Sequence, residues 1–147
     1  MYGLVICLDT NILYNYMLKT ELTEKAKNIL KSYAHEDFAI TTTVLNELIY
    51  IVLAKVTGKR GYTLRRYVKT RGYPSEIIDK VITALEQLEI AVLPDVTDPR
   101  LVLETARSYR LLPADAMIAL TCRHHRIDVI ATFDEDFKRV SWLKVVP

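Results

Sequence analysis

Short apolar runs alternate with amphipathic stretches along this chain. Residues 4–8 read Leu-Val-Ile-Cys-Leu and end at Asp9, which is typical of a strand buried on both faces. Four further apolar runs are predicted as strands at 38–40, 90–92, 129–131 and 143–146. Between the strands, apolar residues recur at three- and four-residue spacing, which predicts helices. These helices cover 24–33, 44–55, 76–88, 99–109 and 114–125. The alternation predicts an α/β fold with a mostly parallel sheet.

The composition is that of one globular domain covering residues 1–147. Half of the residues are hydrophobic, which is enough for a core and excludes a disordered chain. No apolar run approaches the ~20 residues that cross a bilayer, and the first residues lack the features of a secretory signal. We therefore expect a cytoplasmic protein. Cys7 and Cys122 lie in apolar segments and are predicted to be buried free thiols.

The net charge of +2 conceals an uneven distribution. Between Glu47 and Glu76 there is no acidic residue, while seven lysines and arginines occur. The rest of the chain carries 13 basic and 18 acidic residues. The near-neutral total is therefore a cancellation between a basic segment and an acidic remainder.

Four acidic residues occur where apolar neighbours are expected. Asp9 and Asp134 each follow a predicted strand, and ligands of open parallel sheets bind beyond the carboxyl ends of the strands. Glu47 and Asp115 lie on apolar faces of predicted helices. Each acid alone can be explained as a helix cap, a dipole partner, an ion pair or a turn residue. Clustered at one edge they would repel each other, which predicts a site for the hard ions Mg²⁺ or Mn²⁺.

Four motifs occur in a characteristic order. They are LDTNILYNY (8–16), TTTVLNELIYIVL (41–53), LPADAMIALTCRHH (112–125) and DVIATFDEDF (128–137). In order and spacing they resemble the PIN domain family, and within it the VapC-like toxin ribonucleases. The resemblance covers essentially the whole chain. It implies a three-layer α/β/α sandwich with a mostly parallel central sheet and an acidic site that binds Mg²⁺ or Mn²⁺ and cleaves RNA.

The same resemblance assigns roles to individual residues. The catalytic and metal-binding residues would be Asp9, Glu47, Asp115 and Asp134, with Asn11, Thr43 and Asp136 in support. Asp9 and Asp115 are expected to hold a first metal, while Asp134 and Glu47 assist a second or shared one. The resemblance further implies a homodimer and a cognate antitoxin whose segment covers the acidic site.

The basic segment offers a counterpart to this site. Its cations, interleaved with tyrosines, could contact phosphates and stack unpaired bases. The candidate RNA-binding residues are Arg65, Arg66, Lys69 and Arg71, with Arg100 and Arg107 further along the chain. Such a helix is also compatible with a solvated surface or with a protein contact.

Two other classes of protein fit the sequence less well. Aspartate phosphotransfer enzymes of the dehalogenase type need Asp-x-Asp after the first strand, whereas Asn11 stands here, and receiver domains need a lysine after a late strand, whereas Thr132 and Asp134 follow here. The stretch 57–59 (Thr-Gly-Lys) lacks the glycine spacing of a phosphate-binding loop. A stand-alone RNA-processing PIN nuclease and a non-catalytic PIN module stay open, although four retained acids argue against the latter.

Overall fold

The computed structural model describes residues 3–147 and contains a five-stranded sheet. The strands are β1 (Val5–Leu8), β2 (Asp37–Thr41), β3 (Ala91–Leu93), β4 (Val129–Ala131) and β5 (Lys144–Val146). They lie in the order β3-β2-β1-β4-β5, and every neighbouring pair is parallel. All the predicted strand positions are confirmed.

Helices connect these strands. They are α1 (Thr10–Met17), α2 (Thr23–Ser32), α3 (Thr42–Thr57), α4 (Gly61–Arg71), α5 (Ser75–Gln87), α6 (Pro99–Tyr109) and α7 (Pro113–His124), and a short 3-10 helix (Glu135–Arg139) follows β4. Each helix with predicted bounds is confirmed to within two residues at either end. Among the helices of residues 3–147, none has the length and apolar composition needed to cross a membrane.

The helices form a layer on each face of the sheet. The chain moves from β1 through β2 to β3 in one direction and returns across the sheet to β4. Since parallel crossovers are right-handed, α1 to α5 cover one face, and α6 and α7 cover the other. Helix α1 packs on α2 and α3, and α6 packs on α7. The predicted three-layer α/β/α arrangement is confirmed.

The core is centred on β1, where Ile6, Cys7 and Leu8 are fully buried. Cys122 on α7 is fully buried as well, and both cysteines are free, as predicted. A hydrogen bond with Cys122, together with burial, raises the pKa of the Cys7 thiol well above its ordinary value. The two thiols are therefore packing residues of the core.

Helix starts coincide with the carboxyl edge of the sheet. Helix α1 begins one residue after β1 ends, and α3 begins immediately after β2. Thr41 caps α3 by accepting a hydrogen bond from the N–H of Val44 at 3.1 Å. Pro113 opens α7 as predicted. The first turns of these helices, with the ends of β1 and β4, form the edge on which the acidic residues lie.

Candidate active site

Asp9 lies at the carboxyl end of β1, where it caps α1, and it is only 6% exposed. Its Oδ1 accepts a hydrogen bond from the N–H of Thr10 at 2.7 Å. Its Oδ2 accepts from Thr132 Oγ1 at 2.7 Å and from Asn11 Nδ2 at 3.3 Å. Burial, with smaller contributions from neighbouring carboxylates, raises the pKa of Asp9 from 3.8 to about 6, although the bonds from Thr132 and Thr10 act in the opposite direction. Asp9 is therefore fixed in position and costly to ionise.

A buried hydroxyl group connects the ends of β1 and β4. Thr132, which follows β4, is 2% exposed. Besides donating to Asp9, its Oγ1 accepts from the N–H of Asp134 at 2.9 Å and from Asn11 Nδ2 at 3.2 Å. Asn11 Oδ1 in turn accepts from the N–H of Phe133 at 3.1 Å. Thr132 and Asn11 thus fix the segment that carries Asp134 against the end of β1.

Glu47 reaches the same edge from α3 and is half-buried. Thr10 Oγ1 donates a hydrogen bond to Glu47 Oε1 at 3.0 Å, which joins α1 to α3. Burial raises the pKa of Glu47, and the hydrogen bond from Thr10 opposes that rise. The glutamate is therefore oriented by a neighbour on a different helix.

Three aspartates form the most compact part of the site. One carboxylate oxygen from each of Asp115, Asp134 and Asp136 lies within 4.8 Å of the others. Asp134 Oδ1 accepts from the N–H of Asp136 at 2.8 Å, and Asp136 Oδ1 accepts from Arg139 Nη1 at 2.9 Å. An all-oxygen donor set of this kind fits a hard divalent cation.

Asp115 carries the clearest sign of uncompensated charge. The pKa of Asp115 is raised from 3.8 to about 7. Burial is the largest cause, and four neighbouring carboxylates add to it, those of Asp9, Asp134, Glu47 and Asp136. Of the ion pairs within residues 3–147, one reaches this cluster, between an arginine and Asp136. A bound cation would relieve the repulsion.

The sequence model of the PIN domain matches residues 6–143. The chain belongs to the PIN domain family. Ribonuclease VapC2 of Methanocaldococcus jannaschii is 27% identical over 145 residues, which cover 96% of this chain and 92% of the relative. Ribonuclease VapC6 of the same organism is 29% identical over 131 residues, covering 84% and 86%. A chain of a toxin-antitoxin complex from Klebsiella pneumoniae has the same fold, with a TM-score of 0.66 at 21% identity and coverage of 97% and 96%.

The structure brings the predicted acids of this PIN domain together. Asp9, Glu47, Asp115, Asp134 and Asp136 are close enough for their charges to affect one another. The compact group of three aspartates includes Asp136 on the 3-10 helix, which was predicted only as a supporting residue. It does not include Asp9, which follows β1. How these acids divide one or two metal ions stays a prediction.

Thr43, a predicted supporting residue, contacts a different part of the PIN fold. Its N–H donates to Asp95 Oδ1 at 3.0 Å, and its Oγ1 donates to Asp95 Oδ2 at 2.7 Å. Asp95 follows β3 and thereby ties that strand to the first turn of α3. Thr43 therefore helps to place the helix that carries Glu47, and a direct part in the chemistry stays a prediction.

Sequence reasoning missed three residues that hold the acids in place: Thr10, Thr132 and Asp95. A signal for Thr132 was available, because a threonine two residues before Asp134 is typical of a turn in which the hydroxyl accepts the later N–H. Thr10 stands between Asp9 and Asn11, which were both predicted as site residues, but its hydrogen bond to Glu47 spans 37 positions along the sequence. The contact of Asp95 spans 52 positions, and no local pattern indicates it.

The candidate RNA-binding residues are on the surface. Arg65, Arg66, Lys69 and Arg71 are exposed on α4, and Arg100 and Arg107 are exposed on α6. The guanidinium carbon of Arg71 lies 5.9 Å from the centre of the Tyr67 ring. None of the ion pairs found within residues 3–147 includes a residue of α4. These charges are accessible to an anionic partner.

Proposed function

We propose that this PIN domain is a metal-dependent endoribonuclease that hydrolyses RNA phosphodiester bonds and acts as the toxin of a toxin-antitoxin pair. The observation that carries the proposal is the trio of carboxylates from Asp115, Asp134 and Asp136, with oxygens within 4.8 Å of one another. The buried Asp9 and the half-buried Glu47 add negative charge at the same edge. Two relatives named Ribonuclease VapC2 and Ribonuclease VapC6 support the same activity.

Mg²⁺ or Mn²⁺ is the cofactor that this donor set fits. Asp115, Asp134 and Asp136 would hold the ion, and Asp9 would approach it from the end of β1. Bound there, a divalent cation lowers the pKa of a ligating water and offsets the charge that develops on the phosphate. Since the metal-free carboxylates of Asp9 and Asp115 take up protons near neutral pH, metal binding releases protons.

The remaining groups of the site orient ligands and water. Thr132 and Asn11 keep the carboxylate of Asp9 in one orientation. Thr10 holds Oε1 of Glu47, while Oε2 accepts no hydrogen bond from residues 3–147. Glu47 can therefore accept a proton from, or position, a water that attacks the phosphate.

RNA must approach a site whose own charge repels it. A pocket of about 330 Å³ beside Asp134 is lined by Lys25, whose charge reduces this repulsion, and by Lys138, which is paired with Glu135 at 2.7 Å. The exposed cations of α4 supply further phosphate contacts, and each neutralised phosphate releases counterions. The segment 55–71 is thus part of the proposed substrate surface.

The toxin assignment adds a protein partner. The Klebsiella pneumoniae neighbour is a toxin-antitoxin complex. We infer for this chain a cognate antitoxin, a segment of which covers the acidic edge, and a homodimer of the toxin. Induced expression of the chain alone is expected to arrest growth, and Asp115→Asn is expected to relieve the arrest. A stand-alone processing nuclease would leave growth unaffected.

The direct test is cleavage of single-stranded RNA by the purified protein with Mg²⁺, with Mn²⁺ and with a chelator. Cleavage is expected only with metal, and Asp115→Asn is expected to lower kcat at least ~1000-fold, since metal catalysis contributes several kcal/mol. Asp37→Asn is the matched control, because Asp37 is exposed at the opposite end of β2. Equal activity in chelator would refute metal dependence, equal activity of Asp115→Asn and wild type would refute the acidic site, and absence of cleavage with either metal would refute the nuclease assignment.

A further inference from the structure

A pocket of about 420 Å³ opens on the flank of the molecule, where α1 meets the last turns of α3 and the start of α4. We call it the flank pocket. It is lined by Tyr14, Tyr50, Ile51, Ala54, Lys55 and Arg60. Its volume is within the range of small-ligand sites, about 300–1,000 Å³. The lining combines two aromatic rings and two cations, and it contains no acid.

The flank pocket continues the seam on which the acidic site lies. Thr10 on α1 and Glu47 on α3 meet there through a hydrogen bond of 3.0 Å. Tyr14 and Ile51 each lie four residues further along the same two helices, and residues at this spacing share a helix face. The step along each helix axis is about 6 Å. An RNA strand that has a phosphate beside Glu47 therefore reaches the flank pocket within about one nucleotide.

Tyr50 is held in place from across the turn between α3 and α4. The N–H of Gly61 donates to the Tyr50 Oη at 2.8 Å. Gly58, with a φ of 70°, ends α3 in the left-handed conformation and lets the chain turn back to make this contact. The tyrosine nevertheless stays 46% exposed. An aromatic ring fixed before binding loses little freedom when a ligand stacks on it.

The cations of the flank pocket are accessible. Lys55 and Arg60 belong to the basic segment 55–71, and neither is in an ion pair found within residues 3–147. Flat rings beside cations are the combination with which proteins bind unpaired nucleotides, since the rings stack on bases and the cations contact phosphates.

We propose that the flank pocket binds one nucleotide of single-stranded RNA next to the scissile phosphate, with the base against Tyr50 and Tyr14 and the phosphate held by Lys55 and Arg60. This inference rests on the proposed ribonuclease function. It places a substrate contact beside the acidic site on α1, on α3 and at the N-cap of α4, apart from the exposed cations further along α4.

The test measures RNA affinity without cleavage. In an Asp115→Asn background, binding of a fluorescent single-stranded RNA is followed by anisotropy over a range of salt concentrations. Lys55→Ala with Arg60→Ala is expected to weaken binding about tenfold and to reduce the salt slope by about 0.7, because the pocket holds one phosphate and a single-stranded phosphate contributes about 0.7. Lys19→Ala with Lys144→Ala is the matched control, since it removes two exposed cations outside the pocket and should leave affinity within twofold.

Tyr50 gives a second measurement. Tyr50→Ala is expected to weaken RNA binding about tenfold through loss of stacking, while Tyr50→Phe, which keeps the ring, should recover most of the affinity. In the active protein, which retains Asp115, the Lys55→Ala and Arg60→Ala changes should raise KM for RNA and leave kcat within about twofold of the wild-type value.

Two outcomes would overturn the inference while leaving the nuclease function intact. One is RNA affinity unchanged in both the cation and the tyrosine variants while the wild-type chain cleaves RNA with metal. The other is retained RNA affinity in variants that no longer bind a co-expressed antitoxin, which would make the pocket a protein contact. Failure of the nuclease function itself would show instead as absence of metal-dependent cleavage by the wild-type chain.

Discussion

The acidic edge and the basic segment 55–71, which we propose contact the same RNA, are built in opposite ways. The acids lie at strand ends and in the first two turns of helices, and Asp9 and Glu47 are fixed by threonine hydroxyls. The cations of α4 are exposed on a helix whose buried side chain is Leu64. The difference separates two tasks, because a metal needs ligands at defined positions, whereas a flexible polyanion needs charge that can adjust to it.

Metal addition is expected to produce the largest change in stability. Mn²⁺ at about 100 times its Kd stabilises the only state that binds it by about 2.7 kcal/mol, which raises Tm by about 5–10 °C for a chain of this length. Asp115→Asn should abolish the increase, and Asp37→Asn should keep it. Differential scanning fluorimetry checks this. An equal rise in the Asp115→Asn variant would locate the ion outside the acidic edge.

Thr132→Val tests whether hydrogen bonds fix the acidic edge. The change removes the hydroxyl that donates to Asp9 and accepts from the N–H of Asp134, at nearly constant volume. The unpaired groups should cost about 1–3 kcal/mol of unfolding free energy, measured by urea denaturation. Thr132→Ser keeps the hydroxyl and should recover most of the loss. Wild-type stability in Thr132→Val would mean that the hydroxyl contributes nothing to holding the edge.

The pH dependence of the metal-free protein should reflect the acids alone. Since the pKa values of Asp9 and Asp115 are raised to about 6 and about 7, the native state holds protons that the unfolded chain has lost. Their contribution to stability is full near pH 4 and disappears as pH rises through 7, so Tm should fall between pH 5 and pH 8. Asp115→Asn should reduce the fall. A Tm that rises over this range would contradict the raised pKa values.

The smallest effect on stability is expected for the exposed cations. Changing Arg65, Arg66, Lys69 and Arg71 to alanine should alter unfolding free energy by less than about 0.5 kcal/mol. RNA affinity should fall about tenfold, and the salt slope should decrease by up to about 3. Anisotropy titrations at several salt concentrations measure both. Unchanged RNA affinity would favour a protein contact for α4.

The strands, the helices and the edge that carries the acids could be predicted because the sequence patterns that indicate them are local. An apolar run that ends in Asp9 indicates a buried strand and an acid at its carboxyl end, and the helical spacing around Glu47 indicates which face it shares. The order of such elements was enough to predict that the acids share one edge of the sheet.

The internal geometry of the site could not be predicted because distant contacts set it. That Asp136 lies within 4.8 Å of Asp115 depends on the 3-10 helix that turns back after β4. The bond of Thr43 to Asp95 depends on the path of the loop after β3. The flank pocket requires the turn at Gly58, which brings Gly61 to Tyr50. In each case the partners are defined by the fold rather than by spacing along the chain.

The two core cysteines have a practical consequence. Thiol-reactive dyes attack the thiolate, and Cys7 is fully buried with a raised pKa, while Cys122 is fully buried beside it. The chain has two cysteines in total, so its native surface offers a maleimide nothing to modify. A single exposed cysteine introduced by Lys69→Cys could therefore be labelled selectively, and a fluorophore there would test whether RNA reaches α4, without removal of any native thiol.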